Sequence, residues 1–297
     1  MAIILDEDTR VIIQGITGRE GSVRARFMQE YGTELIAGVT PNKGGTEVWG
    51  IPVYNTVRDV IKACGTVDLS VTFVPGPMVK KAIFEAITAG IKTIVMPVER
   101  VPLQDILEMV AYARNYNTRI IGPGSLGIIS PGRSVAGWIG GTEELTREVF
   151  MTGPVGVMSR SGGQTTTLCW VLTKAGLGQS TAIHIGSEPI VGTSFAELLY
   201  LFQKDQETKA VVMFGEIGTI AEEEAAEVME EGSFTKPLIA YITGATAKSG
   251  MRFSHASAII EGDHGTAESK IKALKKVGAT LVGGPEDIPN AVKELIT

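Results

Sequence analysis

Each half of this chain carries a series of short apolar, β-branched runs separated by stretches with helical periodicity. No other feature narrows the possible folds as far. In the first half the spacing predicts strands over 10–14, 34–39, 69–74, 93–98 and 119–122, with helices over 22–31, 57–63, 78–89 and 103–115. In the second half it predicts strands over 155–159, 180–185, 210–214, 237–243 and 280–282, with helices over 165–175, 194–204, 221–231, 266–277 and 285–295. Strands alternating with helices imply an α/β chain with parallel, doubly wound sheets. Five strands in the second series look flavodoxin-like. Between the series, residues 121–132 are dense in glycine, proline and serine, and the stretch on to Thr152 reads as irregular. That places a boundary near residue 125 and two domains, 1–125 and 126–297. Right-handed crossovers put ligands at the carboxyl ends of the strands, so chemistry is expected there.

A length of 297 residues suits two domains, and 44% hydrophobic with 20% charged residues suits packed cores. Net charge is -6 with no basic run, which argues against nucleic acid as a partner. An anionic ligand remains compatible, because backbone N–H groups at helix starts bind phosphate without net positive charge. Cys64 and Cys169 have no metal or redox spacing and fit reduced thiols; no metal site is expected. No signal peptide and no membrane-length apolar segment are evident, so a cytoplasmic protein is expected, or a mitochondrial one after processing if the source is eukaryotic.

At the predicted strand ends, Gly15-Ile16-Thr17-Gly18-Arg19-Glu20-Gly21 would let backbone approach a phosphate at a helix start. Tight strand–helix turns need glycine in any case. The spacing is not the dinucleotide fingerprint, and Val39-Thr40-Pro41 stands where a ribose-binding acid should be, which disfavours NAD. Lys43 sits on the neighbouring strand-end loop. In the second half, Ser159-Arg160-Ser161-Gly162-Gly163 offers a serine- and glycine-bearing helix start, suited to an anion or to simple capping. Glu216 ends a strand in an apolar neighbourhood with no adjacent basic residue. Such a carboxylate can hold a histidine N–H and fix which ring nitrogen faces a ligand. Three histidines occur in the chain. His255, on a small-residue loop beyond a strand end, is the candidate for transient phosphorylation. His184 reads as a strand residue and His264 as a loop residue at a helix start.

Six motifs in order carry a resemblance: residues 15–21, Thr40-Pro41-Asn42-Lys43-Gly44-Gly45, Ser159-Arg160-Ser161-Gly162, Gly215-Glu216-Ile217-Gly218, the stretch from Arg252 through His255 to Ile260, and Gly265-Thr266-Ala267. From about residue 8 to 296 the chain resembles the alpha subunit of succinyl-CoA synthetase and its relatives, the nucleoside-diphosphate-forming acid–CoA ligases. The resemblance implies a Rossmann-like, coenzyme A-binding N-terminal domain. CoA would meet Thr17, Gly18, Arg19, Glu20 and Lys43, together with the strand end at Pro97, Val98 and Glu99. His255 would be the phosphohistidine and Glu216 would orient it. Ser159, Ser161, Gly162 and Gly163 would hold the phosphate, with Thr166 on the same helix beside the acid. ATP or GTP, with Mg2+, would be bound mainly by an ATP-grasp beta subunit in an alpha–beta or alpha2–beta2 assembly. The phosphate would pass to a small carboxylic acid, and CoA would displace it.

Three departures from the family pattern bear on the acid. The family usually has Gly-Pro-Asn-Cys-Pro-Gly where this chain has Gly122-Pro123-Gly124-Ser125-Leu126-Gly127. Gly163-Gln164-Thr165-Thr166-Thr167 replaces Thr-Leu-Thr-Tyr-Glu, and Gly186-Ser187-Glu188-Pro189 replaces Gly-Gly-Asp-Pro. ATP-citrate lyase, a related family, shares Ser-Arg-Ser-Gly-Gly. Citrate, as in citryl-CoA synthetase, malate or another acid are therefore alternatives, and so is a CoA-binding regulatory protein without turnover.

Overall fold

A computed structural model of the chain describes residues 2–244 and 265–296. His255, Arg252 and His264 lie outside the described residues.

In chain order the first half contains β1 (Val11–Gln14), α1 (Arg19–Tyr31), β2 (Leu35–Val39), β3 (Glu47–Val48), β4 (Ile51–Tyr54), α2 (Val57–Cys64), β5 (Leu69–Thr72), α3 (Val79–Thr88), β6 (Thr93–Val95), α4 (Leu103–Asn115) and β7 (Arg119–Ile121). The rest contains β8 (Gly127–Ser130), β9 (Ser134–Gly137), α5 (Glu143–Val149), β10 (Thr152–Ser159), α6 (Gly162–Lys174), β11 (Gln179–His184), α7 (Phe195–Lys204), β12 (Ala210–Glu216), α8 (Ala221–Glu230), β13 (Leu238–Thr243), α9 (Ala267–Lys276), β14 (Thr280–Leu281) and α10 (Ile288–Ile296).

The strands form two seven-stranded sheets, ordered β3-β4-β2-β1-β5-β6-β7 and β14-β13-β12-β10-β11-β8-β9. Setting aside β3, which pairs antiparallel with β4, the first is a parallel sheet in the Rossmann order. Its order reverses on either side of β1, which pairs with both β2 and β5. The ligand crevice belongs at that reversal. In the second sheet the five parallel strands take the flavodoxin order. Strands β1, β5, β11 and β12 are buried along their whole length, as parallel strands covered on both faces should be.

The connecting stretch departs from the expectation of irregularity. It forms a hairpin, β8 and β9, whose first strand pairs antiparallel with β11 and extends the second sheet from five strands to seven. The hairpin is also fastened to the first half. Thr33 donates its hydroxyl to the Val135 carbonyl at 2.7 Å, the Gly132 amide donates to the Tyr31 hydroxyl at 3.1 Å, and Ser130 donates to the Leu5 carbonyl at 2.6 Å. One hydrophobic cluster accordingly runs from Val11 and Met28 through Ile128 and Ala136 to Val157 and Ile183. The hairpin could not carry a recognisable alternation, because its four-residue strands begin or end in glycine. Those glycines are required: a Cβ on Gly127 would sit 2.0 Å from the Ala136 carbonyl oxygen, and both Gly127 and Gly137 have positive φ. The small pair β3 and β4 was also not expected from the sequence, being too short to show a period.

Candidate active site

The first end of the site is built from the turn after β1. Gln14, 2% exposed, donates to the Ala82 carbonyl at 3.0 Å and accepts from Ser70 at 3.1 Å, which fixes the strand end. Gly15 and Gly21 then serve the tight turn itself. A Cβ on Gly15 would lie 2.2 Å from the Phe73 carbonyl oxygen, and one on Gly21 2.2 Å from the Gly15 oxygen. Gly18 differs. It caps α1 with no side chain in the way and borders two adjoining clefts. The larger, about 490 Å³, is walled by Gly18, Arg19, Glu20, Pro97, Val98 and Trp138 around Phe73–Pro75. The smaller, about 250 Å³, is lined by Thr17, Thr40, Met78, Lys81 and Glu85 among others.

Of the residues expected at CoA, Thr17, Gly18, Arg19, Glu20, Pro97 and Val98 thus converge. Lys43 and Glu99 lie outside both linings. Lys43 is on an exposed turn, where its amide donates to the Thr40 carbonyl at 3.1 Å. Trp138 and Lys81 were missed. Trp138 arrives from the unforeseen hairpin, with Arg24 stacked 4.8 Å over its ring. Lys81 reads from sequence as an ordinary surface residue of a helix.

The second end gathers around β10 and β12. Ser159 is fully buried, and its hydroxyl accepts from the Ser161 amide at 3.0 Å and donates to the Ser161 carbonyl at 2.9 Å. It therefore shapes the turn. Ser161 caps α6 without using its side chain. Gly162 and Gly163 follow with the amides that lead a helix and have no intrahelical acceptor. Among the described residues a Cβ on Gly163 would meet nothing within 4 Å, which leaves room there for a ligand. Leu126 closes the flank at Gly162, where a Cβ would lie 2.5 Å from its side chain. Thr166 donates its hydroxyl back to the Gly162 carbonyl at 3.4 Å.

Glu216, 6% exposed, ends β12. The expectation that no basic residue adjoins it is overturned: Arg160 Nε lies 3.8 Å from Glu216 Oε1, with both side chains buried. Arg160 stood in full view in the Ser159–Ser161 motif, but a charged residue at a helix start reads as solvated. Beyond Glu216, its amide donates to Glu222 Oε1 at 3.1 Å. Lys270, fully buried, donates to Glu222 Oε2 at 2.5 Å, to Glu223 at 2.8 Å and to the Thr219 carbonyl at 3.0 Å. Burial pushes the Glu222 carboxyl above its ordinary range, and Lys270 and then Arg160 pull it back. His184 is a buried strand residue, as expected. Its Nδ1 accepts from the Leu126 amide at 2.8 Å, which leaves the proton on Nε2, facing the Arg160 carbonyl at 3.1 Å.

Gly244 and Gly265, the described residues on either side of 245–264, both lie at this same strand end. A Cβ on Gly244 would lie 2.6 Å from the Ile217 side chain, and the Gly218 amide donates to the Gly265 carbonyl at 2.7 Å. Among the described residues no cluster of histidine, cysteine and acidic groups could hold a metal ion, and no helix is long and apolar enough to cross a membrane.

Comparison with known proteins agrees with this arrangement. Residues 6–99 match the CoA binding domain family and residues 158–280 the CoA-ligase family. The chain is 47% identical to the succinate–CoA ligase [ADP-forming] subunit alpha 2 of Archaeoglobus fulgidus, over 100% of both chains. It is 42% identical to an ADP-forming sulfoacetate–CoA ligase subunit of Acholeplasma sp, over 99% of this chain and 98% of the other. ATP citrate lyase from Methanothrix soehngenii, solved with citrate and coenzyme A, has the same fold, with a TM-score of 0.91 at 23% identity. That match covers 99% of this chain, which spans 50% of the lyase chain. A match to the CoA binding domain family, a match to the CoA-ligase family and full-length identity of this order together establish that the chain belongs to the family of alpha subunits of ADP-forming acid–CoA ligases.

Proposed function

We propose that this subunit carries a phosphoryl group on His255 between a nucleotide held by a partner subunit and a small carboxylic acid, and presents CoA to the resulting acyl phosphate. The observation that carries the reading is the position of Gly244 and Gly265, the described residues on either side of 245–264. Both lie against Ile217–Gly218, directly after Glu216 and one strand from the α6 helix start.

Each of the chain's own groups then has work to do. An imidazole nitrogen of His255 attacks the γ-phosphorus of ATP, and the bond to the ADP oxygen breaks. Glu216 accepts the N–H of the other ring nitrogen and offsets the positive charge that forms on the ring. The amides of Gly162 and Gly163 face the phosphoryl oxygens, where a helix start and its dipole favour negative charge. A carboxylate oxygen of the acid next attacks phosphorus and the N–P bond breaks, restoring the histidine. The CoA sulfur attacks the acyl carbon after losing its proton, and inorganic phosphate leaves. Positioning and fixed charge carry such transfers.

The CoA portion extends to about residue 125, with the ligase portion from 126. The partner is an ATP-grasp beta subunit, which supplies the nucleotide and Mg2+. The acid is a short one with a second anionic group, in keeping with relatives named for succinate and sulfoacetate. The test incubates the chain and its partner with γ-labelled ATP. An acid-labile label that disappears in His255→Asn is expected. Absence of label in a complex that still binds CoA would leave a CoA-binding protein without turnover.

A further inference from the structure

Arg160 is 1% exposed, and burial of a guanidinium is tolerated only where its donors are met. Its Nη2 is met, donating to the Glu188 carbonyl at 2.8 Å. Among the described residues its Nε has no acceptor within hydrogen-bond distance, and Glu216 Oε1 stands 3.8 Å away. A core that only needed filling would be better served by an apolar side chain. The position of the guanidinium gives it a purpose.

Glu188 reaches across to the other half of the site. Its Oε1 accepts from the Arg100 amide at 2.8 Å, and Glu188 is 9% exposed. Arg100 holds a φ of 57, a left-handed conformation uncommon for this residue type. It directly continues the segment whose Pro97 and Val98 wall the larger cleft. A buried relay therefore runs from the Glu216 carboxylate through the Arg160 guanidinium and Glu188 to the backbone that shapes the CoA cleft.

We infer that Arg160 is a positioning residue serving both half-sites: it holds the Glu216 carboxylate on one side and, through Glu188, the cleft wall at 97–100 on the other. This rests on the reading that phosphoryl transfer takes place beside Glu216. A planar guanidinium reaches two partners at once, which a lysine ammonium on a flexible stem does not.

The experiment uses the full-length chain with its partner subunit. It measures the rate of labelling by γ-labelled ATP and the dissociation constant of CoA by calorimetry, with thermal melting to verify folding. Arg160→Met is expected to slow labelling about 100-fold, the scale of a misplaced catalytic group. It should also weaken CoA about tenfold, the scale of one lost hydrogen bond to a charged group. Arg160→Lys keeps the charge without the bridge. It should recover labelling to within about tenfold of the wild type and leave CoA as weak as in Arg160→Met. Glu188→Ala removes the link on the CoA side and should weaken CoA about fivefold. Recovery of both properties in Arg160→Lys, or wild-type CoA affinity in folded Glu188→Ala, overturns the relay. If Arg160→Met fails to fold, these two variants decide the matter. Wild-type protein that takes no label refutes the phosphohistidine reading instead, and the CoA titrations still test the Arg160–Glu188–Arg100 link.

Discussion

The two ends of the site solve opposite problems with opposite materials. Around Gly18 the walls are backbone, proline, valine and aromatic side chains, and charge enters only at the rim through residues such as Arg19, Glu20 and Lys81. Around Glu216 the structure spends buried charge: Arg160, Glu216, Glu222 and Lys270 are all under 9% exposed. The first arrangement is a cleft set by backbone and apolar walls, so its tolerance is steric. The second is a buried cluster of charges, which on the proposed reading would face a phosphoryl group, so its tolerance is electrostatic. Substitutions at the two ends should therefore fail in different ways.

Lys270→Met gives the sharpest contrast and the largest expected effect. It strands the Glu222 carboxylate, which is fully buried, at a cost of about 3–5 kcal/mol. Chemical denaturation at neutral pH measures the loss. The double change Lys270→Met with Glu222→Leu should recover much of it, because a buried pair replaced by apolar side chains is often neutral or better. No recovery in the double variant would mean that the cluster contributes packing rather than charge.

At the other end, Gly21→Ala puts a methyl group 2.2 Å from the Gly15 carbonyl oxygen, a backbone atom that cannot swing aside. A loss of about 1–3 kcal/mol is expected, with CoA binding weakened and no dependence on pH. Gly18→Ala tests the distinction within the same turn. Its Cβ approaches the Gly15 oxygen only to 3.2 Å, so stability should fall by less than about 1 kcal/mol. CoA affinity should nevertheless drop, because the methyl group occupies the edge of both clefts. Equal destabilisation by the two alanines would remove the distinction between turn glycine and ligand glycine.

How much of this was readable in advance follows the same division. The shape-built end was legible. Buried parallel strands announce themselves as apolar runs such as 11–13 and 210–214, and the glycine turn sits where the strand order reverses. What was lost there came from the β8–β9 hairpin, whose four-residue strands are too short for a period and which delivers Trp138 to the cleft. The charge-built end was legible only in outline. Ser161, Gly162 and Glu216 stood out by residue type and place. Arg160 and Lys270 did not, because nothing local separates a lysine facing water from one enclosed by Glu222 and Glu223. That outcome is decided by partners 48 and 47 residues away in the chain.

The smallest expected effect is the most direct probe of the electrostatic end. Glu224 follows Glu222 and Glu223 in the first turn of α8, and its pKa is raised by burial and by Glu227, Glu197 and its two acidic neighbours. A carboxyl whose folded pKa lies above its unfolded value favours folding when protonated, and the folded protein loses stability as pH rises through the folded pKa. Glu224→Gln removes that penalty. The variant should match the wild type below the unfolded pKa, near pH 4, and become more stable as pH rises to 7, by up to about 1 kcal/mol. Melting temperatures of both proteins across that range give the answer. A constant difference at every pH would assign the effect to helix propensity. A difference that grows with pH would show that this helix start carries more negative charge than it can neutralise, as a region built to hold charge in place should.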